Sequence, residues 1–287
     1  MKSKLILGTV QLGLDYGINN SRGKPSRRQS YAILDYAVRE GIGCLDTAAA
    51  YGDSEKIIGG FHRDYGSTAF QIITKFHDNG KPFDQVISEA TDRLGVDQID
   101  TLLFHSFADY QNCRNQPLYD ELLAEQGKTI GKLGISVYTN EELEEIAKDD
   151  TVSVLQLPFN LLDNEKVRGT HLKALSDKGK VIHTRSVFLQ GLFFKNPKEL
   201  PVKLTLLAPY LEKLQDIAEG AKIPLGALAL QYVLNKPYIS GVLFGVETLE
   251  QLKLNLRWLT VEVDPKIYTQ IDDINVQQRE LLQPTNW

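Results

Sequence analysis

GIGCLDTAAAYGDSEKIIGG, residues 41–60, sets the pattern for the whole chain. Ile42-Gly43-Cys44-Leu45 is a short apolar run closed by Asp46. A loop of small residues carries Tyr51, and Ser54-Glu55-Lys56-Ile57-Ile58-Gly59 reads as the first turns of a helix. A strand delivers a carboxylate, a loop delivers a phenol, and a helix begins. In a βα unit that loop lies at the C-terminal end of the strand, where such folds keep their chemistry.

The same alternation continues along the sequence. Short apolar or β-branched runs, expected as strands, lie at Lys4–Val10, Gly43–Ala48, Gln71–Phe76, Ile99–His105, Lys132–Val137, Val152–Pro158, Lys180–Val187 and Ile239–Phe244. Amphipathic segments follow each of them. Ala32, Ile33, Tyr36 and Ala37 share one face of a helix expected from Ser26 to Glu40. Pro117 suits the first turn of another, and Thr139 with Glu141 and Glu142 reads as an N-cap with an acidic first turn. A longer insertion, Phe188 to Leu204, carries Pro197 and Pro201. Alternation implies a parallel sheet with helical crossovers, and eight units imply closure. The expectation is an α/β fold, a (β/α)8 TIM barrel, in a single domain over residues 1–287. An open doubly wound sheet would want GxGxxG after the first strand. Gly8, Gly13 and Gly17 are too widely spaced for that.

Composition limits the partners. The chain has 287 residues, near the roughly 250 of one such barrel. A net charge of −5 gives no basic field for nucleic acid or an anionic membrane. No stretch reaches the ~18 apolar residues of a membrane span. Gln11 interrupts the apolar run Leu5–Leu14, and Asp15-Tyr16-Gly17 is a poor cleavage site, so a signal peptide is not expected. Cys44 and Cys113 make no disulfide framework and fit a reducing cytoplasm. The five histidines show no metal-ligand spacing.

The strand ends carry the chemistry. Asp46 ends the second strand with Tyr51 just beyond it; Lys75 ends the third and His105 the fourth. Ser136, Gln156, Arg185 and Ser186 end the fifth to seventh. Taken singly, each has an ordinary explanation as a loop cap, a solvated lysine, a core histidine or a packing aromatic. In a barrel all converge on one mouth, which packing does not explain. A free tyrosine is a weak acid with a pKa of about 10, and a nearby ammonium favours its phenolate. Lys75 can supply that ammonium, Asp46 can orient it, and His105 can hydrogen-bond a carbonyl oxygen. The set amounts to a general acid beside an oxyanion site. It suits protonation of a carbonyl oxygen while hydride arrives at carbon from a nicotinamide cofactor. A Schiff-base lysine at Lys75 would leave Tyr51 and His105 without a role.

The sequence resembles the aldo-keto reductases over nearly its whole length. The resemblance is carried by LGTVQLG (7–13), GIGCLDTAAAYGDSEKIIG (41–59), IITKF (72–76), LGVDQIDTLLFHS (94–106), GKLGIS (131–136), VLQLPFN (154–160) and FGVETLEQLKLNL (244–256). It implies the (β/α)8 barrel and a catalytic tetrad of Asp46, Tyr51, Lys75 and His105. It implies that Ser136 and Gln156 hold the nicotinamide carboxamide, that Ser186 and Leu189 lie near the pyrophosphate, and that the segment from Gly245 through Gln251 to Asn255 lies near the adenosine. NADPH is the expected cofactor, with NADH left open, and the partner is a small-molecule carbonyl substrate. Three positions depart from the family pattern. Val137 stands where an asparagine is common, and Arg185 where an aromatic often stacks on the nicotinamide; Glu247 stands where a basic 2′-phosphate clamp is expected. The polar loops after strands one and four, and the stretch RSVFLQGL (185–192), similar to members linked to sugar metabolism, suggest a polar or sugar-like carbonyl. A cofactor-binding regulatory protein on the same barrel, with little turnover, is the alternative.

Overall fold

Each apolar run pairs in register with the next, and the last returns to the first. The computed structural model describes residues 2–66, 68–78 and 80–287. Its strands are β1 (Leu5–Gly8), β2 (Cys44–Asp46), β3 (Gln71–Phe76), β4 (Ile99–Phe104), β5 (Ile130–Ser136), β6 (Val154–Pro158), β7 (Val181–Arg185) and β8 (Gly241–Gly245). All neighbours are parallel, in the order β1 to β8 around a closed barrel. Closure pairs Leu5 with Val242 and Gly8 with Gly245.

The helices are α1 (Val10–Gly13), α2 (Arg27–Arg39), α3 (Ser54–Tyr65), α4 (Phe83–Leu94), α5 (Phe107–Cys113), α6 (Pro117–Ala124), α7 (Asn140–Ile146), α8 (Glu165–Asp177), α9 (Ala208–Ala221), α10 (Leu225–Leu234), α11 (Leu249–Trp258) and α12 (Pro265–Asp272). Local chemistry sets several ends. Ser26 and Gln29 form a capping box on α2, and Thr139 and Glu142 form one on α7. Gly95 ends α4 in a left-handed conformation that a side chain would resist.

The period of two along each strand divides it between two environments. One set of side chains packs outward against the helices in the main core. The other points into the barrel. Ile6, Ile73, Leu103, Val154 and Leu243 form an apolar plug there, with Cys44 and Val181 against it. Burying each large side chain contributes roughly 1.5–3 kcal/mol. Two residues further along the same inward parity come Asp46, Lys75, His105 and Gln156. The barrel is therefore oily below and polar at its mouth.

Strand ends differ from the sequence reading by one or two residues at every strand but β3, and three differences bear on the site. The first strand stops at Gly8, not Val10, because its pairing with β2 ends at Gly8 and Asp46. Val10–Gly13 then turns into α1, bringing Gly13 against the Tyr51 loop. The connection after β4, read as a polar loop, holds α5, whose start Ser106 caps by accepting from the Asp109 amide. The insertion after β7 is a series of 3-10 turns, Leu189–Phe194, Pro197–Glu199 and Val202–Leu207.

Candidate active site

The polar mouth opens into a cleft of about 630 Å³ that runs from the ends of β2–β4 across β7 and β8 to α11. Asp46, Tyr51, Lys75 and His105 all line it.

At the floor lies a buried ion pair. Lys75 and Asp46 are 2 % and 3 % exposed, so neither charge can rely on water. Lys75 Nζ donates to Asp46 Oδ1 at 2.5 Å and to the Thr47 carbonyl at 2.9 Å. Asp46 Oδ2 accepts from Gln156 Nε2 at 2.7 Å, so both carboxylate oxygens are occupied. Burial works against the Lys75 ammonium, but the charge of Asp46, then Tyr51, outweighs it and holds the Lys75 pKa above its ordinary value. Lys75 is thus a fixed cation, 4.9 Å from the centre of the Tyr51 ring.

Tyr51 is held by its backbone. Its carbonyl accepts from the Ser54 amide at 3.1 Å. Behind the loop runs a buried chain of hydroxyls. Thr47 Oγ1 donates to Ser54 Oγ at 3.0 Å, Ser54 Oγ lies 2.8 Å from Thr9 Oγ1, and Thr9 Oγ1 donates to the Asp46 carbonyl at 2.8 Å. This chain ties β1, β2 and the start of α3 to one another.

His105 faces Tyr51 edge-on, with ring centres 6.1 Å apart. On its other side His77 stacks on it at 4.2 Å, nearly parallel. His77 Nδ1 is 2.9 Å from Asp109 Oδ2, and Ser106 Oγ donates to the same oxygen. Burial, then the charges of Lys75 and His77, push the His105 pKa down to about 3. The imidazole is therefore neutral at ordinary pH. Its Nδ1 is buried without a hydrogen-bond partner.

Ser136, Gln156, Arg185, Ser186, Gly245, Gln251 and Asn255 also line the cleft. Leu189 does not: its side chain is completely buried in the main core. The resemblance implied that Leu189 lies near the pyrophosphate; a tight turn carries its side chain into the core. Ser186, Leu189 and Gln190 take φ of 64°, 46° and 54°, left-handed values that cost a non-glycine residue roughly 1–3 kcal/mol each. Arg185 lays its guanidinium over the Tyr138 ring at 4.1 Å and donates to the Val137 carbonyl at 3.3 Å. Val137 itself is fully buried.

Sequence reasoning missed several cleft residues. Gln11 and Tyr16 arrive through α1 and the loop after it, Tyr138 supports Arg185, and Gln190 donates to the Tyr16 hydroxyl at 2.7 Å. His77 had a legible signal, since it lies two residues beyond Lys75 on the same parity. The orphan atoms fit a nicotinamide carboxamide: the buried Oε1 atoms of Gln156 and Gln11 have no donor, and a carboxamide brings two N–H groups. Gly245 fits as well, because a Cβ there would meet Gln11 Oε1 at 2.4 Å and fill the cleft floor. Among the described residues no cluster of three histidine, cysteine or acidic groups is placed to hold a metal. No described helix is long and apolar enough to cross a membrane.

The model of the Aldo/keto reductase family matches residues 4–276. The chain belongs to the aldo-keto reductases, a family of oxidoreductases. Its relatives are distant but full-length. Protein tas of Escherichia coli is 24 % identical, with 95 % of each chain covered. The uncharacterized oxidoreductase YqkF of Bacillus subtilis is 23 % identical, covering 88 % of this chain and 89 % of its own. The D-threo-aldose 1-dehydrogenase of a Pseudomonas species is also 23 % identical, covering 85 % and 87 %. Among solved structures, an aldo-keto reductase from Bacillus halodurans in its holo form superposes with a TM-score of 0.75 at 20 % identity, covering 96 % and 94 % of the two chains. At that identity the likeness speaks for the fold alone.

Proposed function

We propose that this aldo-keto reductase reduces an aldehyde or ketone to an alcohol with a nicotinamide dinucleotide as reductant. The observation that carries the reading is the junction in one cleft of the Tyr51 ring, the buried Lys75–Asp46 pair and a neutral His105. A nicotinamide held in the cleft would supply hydride to the carbonyl carbon. Tyr51 gives its hydroxyl proton to the carbonyl oxygen. Lys75 stabilises the negative charge left on the phenol oxygen, and Asp46 keeps Lys75 charged and in place. His105, neutral with its proton on Nε2, donates a hydrogen bond to the same carbonyl oxygen, leaving the partnerless Nδ1 bare. Ser136, Gln156 and Gln11 would hold the carboxamide, the turn from Ser186 the pyrophosphate, and Gly245, Gln251 and Asn255 the adenosine.

Tyr16, Asn19, Tyr138, Arg185 and Thr285 bring polar groups to the same cleft. A hydroxylated, sugar-like carbonyl matches those donors and acceptors, and a relative named for aldose oxidation supports the same class. The free thiols of Cys44 and Cys113 support a cytoplasmic setting.

The test is multiple-turnover oxidation of NADPH or NADH with a panel of aldehydes and aldoses, with the alcohol product quantified. Stoichiometric alcohol formation over many turnovers supports the reading. Tight dinucleotide binding without turnover across the panel would contradict it and favour a regulatory role.

A further inference from the structure

The cleft's charge is distributed unevenly along its length, and the distribution bears on which dinucleotide it accepts. Hydride must be delivered beside Tyr51 and His105, so the nicotinamide lies at that end. The rest of the cleft leads over Gly245 to Gln251, Leu254, Asn255 and Trp258, where the adenosine half must lie. Among the described residues lining the cleft, the lysines and arginines are Lys75 and Arg185, and both are at the tetrad end. Lys75 is paired with Asp46 and Arg185 is stacked on Tyr138.

Helix α11 does carry cations, but they face elsewhere. Lys253 sits 5.4 Å over the Tyr36 ring of α2, and Arg257 acts on the same tyrosine. Neither lines the cleft. What lines it instead is the carboxylate of Glu247. Gln251 fixes that group: Gln251 Nε2 donates to Glu247 Oε2 at 3.1 Å, while Gln251 Oε1 accepts from the Glu247 amide at 2.7 Å. No lysine or arginine among the described residues forms an ion pair with Glu247.

We infer that this chain selects NADH over NADPH, with Glu247, held by Gln251, as the discriminating residue. This rests on the carbonyl-reductase reading and narrows its cofactor. A phosphate monoester brings a charge of about −1.5 to −2 at neutral pH. Among the described residues lining the adenosine end it finds no lysine or arginine, and it meets a fixed carboxylate. A ribose 2′-hydroxyl can instead donate a hydrogen bond to such a carboxylate, as in other NAD sites that use an acidic residue there. Repulsion across a partly exposed cleft falls with salt, and so does the discrimination.

The experiment is a titration of the whole chain with NADH and with NADPH, following nicotinamide fluorescence at low and high ionic strength. NADH should bind at least about tenfold more tightly at low salt, with the ratio shrinking as salt rises. Glu247→Gln should narrow the ratio chiefly by tightening NADPH. Equal or tighter binding of NADPH to the natural chain would overturn the inference and leave the carbonyl-reductase reading standing. So would a ratio that Glu247→Gln leaves unchanged, since Glu247 would then not discriminate. Binding of neither dinucleotide would overturn the carbonyl-reductase reading itself, and the inference with it.

Discussion

Replacing Gly13 by alanine should disable the site without touching any side chain in it. Gly13 closes α1 and packs against the backbone of the Tyr51 loop. A Cβ there would stand 1.7 Å from the Tyr51 carbonyl oxygen and 2.6 Å from the Ser54 nitrogen, whereas real Cβ atoms essentially never come within 3.0 Å. Gly13 does not have positive φ, so the cost is one of space and not of backbone conformation. The blocking atoms are backbone, and they are tied down by the Tyr51–Ser54 hydrogen bond and the buried hydroxyls of Thr9, Thr47 and Ser54. The loop must therefore retreat by more than about 1 Å, and misplacing a reacting group by that much costs about 10²-fold in rate. Steady-state kinetics on an accepted aldehyde should show kcat down about 100-fold. Dinucleotide affinity, set mainly by the β5–β8 end of the cleft with Gln11 contributing from α1, should change by less than about tenfold, roughly 1.4 kcal/mol. A urea titration shows whether the variant is folded under the assay conditions. A folded Gly13→Ala enzyme with natural kcat would refute the claim that this contact positions Tyr51.

Two further outcomes concern stability. Glu55 is 2 % exposed and accepts from Thr74 Oγ1 at 2.6 Å and from Arg93 Nε at 2.7 Å; Arg93→Met strands its charge and should cost about 3 kcal/mol in urea unfolding, and a loss under about 1 kcal/mol would show that water reaches the carboxylate. Unfolded histidine binds a proton near pH 6.5, but folded His105 does so only near pH 3, and burial, then Lys132, pushes His183 down to about 4. Between these values the unfolded chain holds the extra protons, so the stability from both groups is full above pH 6.5 and is lost as pH falls toward 3; His105→Leu should flatten the fall in urea midpoint from pH 6.5 to 4, and an unchanged slope would contradict the shift. For the same reason the acid limb of kcat/KM between pH 5 and 7 should not carry an ionisation that disappears in His105→Gln.

The barrel was legible because its strands are short apolar runs with polar residues at one end. β3 was read to the residue, since Gln71 begins a clear β-branched and apolar run that Phe76 ends. The meeting of Asp46, Lys75 and His105 in one cleft was legible for the same reason: they break apolar runs where barrel strands end. What escaped notice depended on contacts across the fold. Nothing near Gly13 shows that its neighbour will be Tyr51, about forty residues away. Gln156 was assigned to the carboxamide by resemblance; that its amide nitrogen is committed to Asp46 on the opposite wall of the barrel, leaving Oε1 as the atom without a partner, was not legible. Leu189 was placed near the pyrophosphate by resemblance, and a turn with three left-handed residues buries its side chain in the core. Local pattern fixes a side chain's parity on a strand; it does not fix the direction of a turn held open by its surroundings.

The central claim is that Tyr51 protonates the carbonyl oxygen beside Lys75 and His105, and Tyr51→Phe tests it most directly. The change removes one hydroxyl and leaves the ring that packs beside Lys75 and His105. Dinucleotide affinity should stay within about twofold, while kcat on an accepted aldehyde should fall by about 10²–10⁴-fold. A Tyr51→Phe enzyme that binds dinucleotide normally and turns over at the natural rate would contradict the claim.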